Sequence, residues 1–147
     1  DDDAAQQRLR KFFDESASSQ ISESAQLDIN GRRIDALRVA KGIAWFDFKA
    51  LCEGPRSQND YIELARWYPT VILSGVPVLD KHREDHARRF IALVDEFYDR
   101  RVKVMLAAAA PAHALYAGDK LNFEFERTVS RLVEMQSTDY LAAPHLA

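Results

Sequence analysis

Apolar positions along the chain alternate first at short and then at helical spacing, and the change of period sets out the elements. Asp1 to Asp3 suit the positive end of a helix, and Leu9, Phe12 and Phe13 give that helix an apolar stripe before the stretch Ser16 to Ser19 ends it. Leu27 and Ile29 then alternate up to Asn30-Gly31, a strong hairpin turn signal, with Ile34, Leu37 and Val39 continuing on the far side. A further strand fits Ile43 to Phe48. These strands predict a small antiparallel unit ahead of a helical region.

Gly54-Pro55 is a break, and Ser57-Gln58-Asn59-Asp60 has the form of a capping box before a helix bearing Tyr61, Leu64, Ala65 and Tyr68, which Pro69 stops. Thr70 to Ser74 is β-branched and continuously apolar, as a buried strand should be, with Gly75 and Pro77 marking its exit. Ala87, Phe90, Ile91, Val94, Phe97 and Tyr98 recur at helical spacing, with Arg88, Arg89, Asp95 and Glu96 assigned to the solvated face. Val102 to Leu106 follows as a strand. Pro111 is expected to start a short helix through Tyr116 that Gly118 closes, and a last long helix from Asn122 to Gln136 should bury Phe125, Val129, Leu132 and Val133. Strand, long helix, strand implies a parallel crossover, so Val71–Leu73 and Val102–Leu106 should share a sheet covered by the helix between them.

Size agrees with a single unit: 147 residues suffice for one domain with a real core and not for two substantial ones. The expected divisions are an N-terminal helix over 1–20, the antiparallel β unit over 26–48, and an α/β and helical part over 57–140. Apolar residues at 47% and charged residues at 29% predict a folded core rather than a disordered chain. A formal charge of −3 gives no global pull toward nucleic acid or anionic lipid, which leaves nucleic-acid binding unsupported. Cys52 is the only cysteine, so no internal disulfide forms and a reducing compartment fits. The longest apolar run, Val104 to Ala112, falls well short of the roughly 20 residues of a membrane span, and no secretory leader pattern is present. The first residue is not Met, and the abrupt start predicts a piece of something longer.

Candidate chemistry centres on Phe125 to Ser137, where Arg127 and Arg131 stand one helical turn apart. Guanidinium groups so placed can meet a phosphate. A surface ladder of ion pairs with Glu124 and Glu134 accounts for the same spacing. Asp95-Glu96 superficially resembles the acidic pair that holds Mg²⁺ in P-loop ATPases, but such a pair follows an apolar strand and this one lies within an amphipathic helix; a solvated face is the expectation. Arg88 and Arg89 read as solubility and ion-pairing residues, with Asp85 or Glu96 as partners, or as contacts to a partner protein. His82 and His86 are one turn apart, yet two ligands without a second pair are weak evidence for a metal. Cys52 and the aromatic groups Trp45-Phe46-Asp47-Phe48 and Trp67-Tyr68 read as core. No Gly-rich phosphate loop is present, so any nucleotide chemistry needs residues beyond these.

Trp45-Phe46-Asp47-Phe48, Leu51-Cys52, Pro55-Arg56-Ser57, Asp60-Tyr61, Val76-Pro77, Arg88-Arg89-Phe90-Ile91, Val94-Asp95, Tyr98-Asp99 and Arg127 through Ser137 together resemble the C-terminal part of the ZapE family. Those proteins are AAA+-type P-loop ATPases, with bacterial members linked to cell division and relatives in mitochondria. The resemblance covers nearly the whole chain, the first 25 residues contributing little. It implies an α/β fold, namely part of a P-loop ATPase-like core with a small antiparallel β unit and a C-terminal helix. It implies that the nucleotide loop and the metal-holding acids lie upstream of Asp1, so that ATP and Mg²⁺ are used by the full-length protein and neither is expected to bind this piece alone. It places Arg131 and Arg127 in a sensor or arginine-finger role, Arg131 ranking first because it lies deeper in the helix beside Leu132. It also implies a cytoplasmic protein recruited to the division site, with FtsZ, the division machinery and further copies of itself as partners. The alternative is an autonomous protein-binding module that recognises a division protein without nucleotide, through Arg88, Arg89 and the antiparallel unit.

Overall fold

In the computed structural model, which describes residues 3–146, the first helix α1 (Asp3–Ser16) is followed by the hairpin of β1 (Ser22–Ile29) and β2 (Arg32–Ala40). Asn30 and Gly31 both take positive φ, 55° and 80°, the conformations that a tight two-residue hairpin turn requires. Gly42, at φ 82°, turns the chain again into β3 (Ile43–Asp47), which pairs antiparallel with β2. The strand stops at Asp47 rather than Phe48 because the Asp47 carboxylate accepts the Lys49 amide at 2.9 Å and so caps α2 (Phe48–Cys52).

The antiparallel strands are not a separate unit. β3 also pairs in parallel with β4 (Thr70–Val76), in register from Ile43↔Thr70 to Asp47↔Ser74, which makes β3 a member of both halves of one sheet. The crossover from β3 to β4 is made by α2 and by α3 (Gln58–Trp67). At the start of α3 Asp60, fully buried, accepts the Ser57 amide at 2.9 Å, closing the capping box that the sequence predicts, and also takes Arg32 at 2.6 Å. β4 runs on through Gly75, whose φ of 72° marks an irregularity in its pairing, to Val76. After the two-residue β5 (Leu79–Asp80), α4 (Glu84–Asp99) returns the chain to β6 (Lys103–Ala108), parallel to β4.

The result is a mixed, open sheet of order β1-β2-β3-β4-β6. The expected shared sheet of Val71–Leu73 and Val102–Leu106 is present, with the two strands as direct neighbours. Where a short helix was expected from Pro111 to Tyr116, only a 3₁₀ turn at Ala112–Ala114 forms. Tyr116 and Ala117 instead make β7, which pairs in parallel with β5. The chain then forms α5 (Asn122–Glu134) and a short α6 (Thr138–Ala142).

Strand alternation splits the core between the two faces of the sheet. Ala44, Phe46, Val71 and Leu73 meet Leu51, Leu64, Phe90, Val94 and Phe125 from the helices that follow β3. On the opposite face Ile43, Trp45 and Ile72 meet Leu9 and Phe13 of α1. Three apolar residues of the predicted elements are exposed, Trp67 and Val133 against the expectation of core packing. Leu37 is 44% accessible because Ile34 and Ala36 take the core positions of β2, and Trp67 is 44% accessible at the end of α3, its indole donating to Glu63 at 2.9 Å. Val133 is 64% accessible because the buried stripe of α5 runs through Phe125, Thr128 and Leu132, one position to the side.

Candidate functional site

α4 and α5 lie side by side, and their facing polar positions meet at Asp95. Arg131 donates to one carboxylate oxygen of Asp95, while Arg127 stands 3.6 Å from the other. The four-residue spacing that puts both arginines on one side of α5 therefore converges on a single carboxylate of the neighbouring helix. The expected ladder with Glu124 and Glu134 is replaced by this arrangement. Glu134 instead accepts the Tyr98 hydroxyl at 2.7 Å, a bond that raises the Tyr98 pKa by favouring the neutral phenol. The guanidinium of Arg131 lies over the Tyr98 ring, 4.9 Å from its centroid. Arg131 is thus held by a charge and a ring at 24% exposure, whereas Arg127, at 59%, reaches largely into solvent.

The solvated reading of Asp95-Glu96 fails for Glu96 and holds only in part for Asp95, which is a quarter exposed. Asp95 is shared by the two arginines. Glu96 is only 6% exposed, and its carboxylate accepts from Gln58 and, at 2.6 Å, from Arg100. These bonds explain how a glutamate sits among apolar neighbours without an orphaned charge. Neither arginine of the Arg88-Arg89 pair takes the expected partners among the described residues: Arg88 is exposed, and Arg89 donates to the Cys52 carbonyl at 3.2 Å.

Cys52 is completely buried, and burial pushes its thiol well up, away from the reactive thiolate. Trp45 is core, as expected, with its indole donating to Ser74 at 2.9 Å. His82 is exposed, and His86 packs edge-on to Phe48 with Nδ1 buried and unbonded. Among the described residues no three His, Cys, Asp or Glu side chains gather where they could share a metal ion.

One polar cluster has no local signature in the sequence. Glu84, at the start of α4, accepts the Tyr116 hydroxyl at 2.6 Å and the amides of Asp119 and Lys120 at 2.8 and 3.1 Å. The hydroxyl in turn accepts the Leu121 amide at 2.8 Å, so the loop entering α5 is tied to α4. These bonds lower the Glu84 pKa, the Tyr116 bond foremost. Its signal in the sequence is only a Glu and a Tyr separated by more than 30 residues.

Arg127 and Arg131 are cations of the kind that can meet a phosphate, and both stand at Asp95. Residues 1–144 match the AFG1-like ATPase family throughout. The chain belongs to that family. It is 44% identical over 145 residues to the cell division protein ZapE of Escherichia coli K12, an alignment covering 99% of this chain and 39% of that protein. It is also 33% identical over 170 residues to lactation elevated protein 1 homolog B of Danio rerio, covering 92% of this chain and 34% of the relative. The chain therefore spans between a third and two-fifths of the length of these relatives. No solved structure matches it. Among the described residues no helix is long and apolar enough to cross a membrane.

Proposed function

We propose that this chain is the C-terminal part of an ATP-hydrolysing AAA+-type cell-division protein, to which it contributes arginines and a partner surface while the P-loop and the Mg²⁺-holding acids lie in the remainder. The observation that carries this reading is the match to AFG1-like ATPases along residues 1–144, by a chain that has no Gly-rich phosphate loop of its own. In such an ATPase the bound Mg²⁺ and the phosphate loop neutralise charge on the transferring phosphoryl group, and an arginine adds to that neutralisation.

Arg131 is the residue assigned to this task, with Arg127 as its neighbour. Asp95 is one turn from the end of α4, and β6 starts only four residues beyond that helix. The cluster thus stands toward the edge where the parallel strands begin, whereas ligands of open α/β sheets bind beyond the strands' carboxyl ends. This placement favours an arginine-finger role, supplied to a nucleotide on an adjoining copy, over a sensor role within the same molecule. Asp95 and Tyr98 hold the guanidinium in place until the phosphate competes for it.

By its similarity to ZapE, the whole protein is proposed to act in the cytoplasm at the division site, with FtsZ and the division machinery as partners. Mg²⁺-dependent ATP turnover should be robust for the full-length protein and at background for residues 1–147. Turnover by the excised chain in a contaminant-free sample would overturn the assignment. Binding of the excised chain to polymerised FtsZ without nucleotide would favour the rival reading as an autonomous binding module, for which the exposed Arg88 is the available contact.

A further inference from the structure

β6 has the sequence of a central strand and the position of an edge strand. From Val104 to Ala110 the chain carries no charged or polar side chain, the pattern of a parallel strand buried on both faces. Its neighbour β4 has that burial from Val71 to Ser74, but every residue from Lys103 to Ala107 is only partly buried. The sheet ends at β6 among the described residues. Natural edges are guarded by charge, proline or a covering element, and beyond Lys103 this strand has none of these along its length.

Grooves flank the free edge on both sides, each floored by apolar side chains of β6. On one side Val104 and Leu106 line a groove of about 220 Å³ with Leu132, Met135 and the exposed Val133 of α5. On the other, Met105 and Ala107 line a larger groove of about 1030 Å³ that extends under α1 to Leu9 and is mixed in character, with Arg8, Asp47 and Ser74 also in its wall. The backbone along the edge is equally open. The Lys103 amide donates back to Pro69 at 2.8 Å, so by alternation the Met105 amide points toward β4 and the amides of Val104 and Leu106 point outward.

We propose that β6 is an internal strand of the complete protein, and that a further β-strand from outside residues 1–147 pairs with its free edge and fills both grooves. The occupant is committed to the same polypeptide because the relatives are more than twice as long as this chain, the alignment covering 39% of ZapE. A strand apolar on both faces also fits permanent burial better than intermittent contact with a separate partner. This inference rests on the chain being part of a longer protein, and it stands apart from any assignment of the arginines.

Amide hydrogen exchange on the full-length protein tests it directly. An added strand protects Val104 and Leu106 to the degree of Met105, slowing their exchange by about a hundredfold or more relative to an open edge. In the same protein, a photo-crosslinking amino acid at Val133 should give an intramolecular product that joins α5 to a segment outside residues 1–147. Fast exchange at Val104 and Leu106 beside a protected Met105 would overturn the inference. So would a cross-link to a second copy or to another protein. Neither readout depends on ATP turnover: an active ATPase with an open β6 edge sinks this inference alone, and a protected edge without turnover sinks the proposed function alone.

Discussion

Arg131 and Asp95 pair across the α4–α5 contact, and the chemical role proposed for Arg131 separates from a packing role by substitution. Both side chains are about a quarter exposed, so loss of the pair should lower stability by about 1 kcal/mol or less. Asp95→Asn removes the carboxylate charge and keeps the side chain's size. Its unfolding midpoint should fall little, and it should leave Arg131 freer to meet a phosphate, so that full-length turnover is retained. A collapse of stability in Asp95→Asn would show that the pair is primarily a structural clamp. Glu84 gives a prediction in pH. Hydrogen bonds from Tyr116 and from the Asp119 and Lys120 amides hold its pKa below the ordinary 4.5, so protons bind more tightly to the unfolded chain. Its stabilisation is complete above that ordinary value and is lost as pH falls through the lower folded-state value. Amide exchange of Asp119 and Lys120, corrected for intrinsic rates, should accelerate on acidification in wild type, while Glu84→Gln should show already weakened protection at neutral pH. Equal protection in the two proteins at neutral pH would remove the anchoring role.

At the scale of the elements, Gly75 is where backbone and neighbour leave least freedom. Its φ of 72° disfavours a side chain, and a Cβ there would stand 2.6 Å from Asp47 Oδ1, the carboxylate that caps α2. Gly75→Ala should cost about 1–3 kcal/mol through strain and displacement of the cap, read as a lowered midpoint in denaturant. A neutral substitution would mean that Asp47 moves aside freely. Elements with a local signal were legible in the sequence: the Asn30-Gly31 turn, the Ser57–Asp60 box, the apolar run of β4 and the stripe of α4 each encode their own geometry. Pairings that join distant segments were not. Nothing local in Ile43 to Asp47 announces a second neighbour at Thr70 to Ser74. Tyr116-Ala117 becomes a strand only because Leu79-Asp80 lies beside it.

For the molecule as a whole, the same limit explains the site. The spacing of Arg127 and Arg131 was legible and Asp95 was noticed, but their meeting across two helices depends on how α4 and α5 dock. Leu132 helped to mark α5 as amphipathic, while Val133 and β6 carry apolar surface whose burial the described residues do not complete. Such surface accords with a chain that is part of a longer protein, and it is in that longer protein that Arg131 is proposed to act on a nucleotide held elsewhere. Steady-state kcat/KM for Mg²⁺-ATP on the full-length protein, wild type against Arg131→Ala and measured with the unfolding midpoint, tests that claim most directly. A loss of about a hundredfold or more in kcat/KM, with a midpoint only slightly lowered, is the expected result. An Arg131→Ala protein with unchanged kcat/KM and normal stability would contradict it.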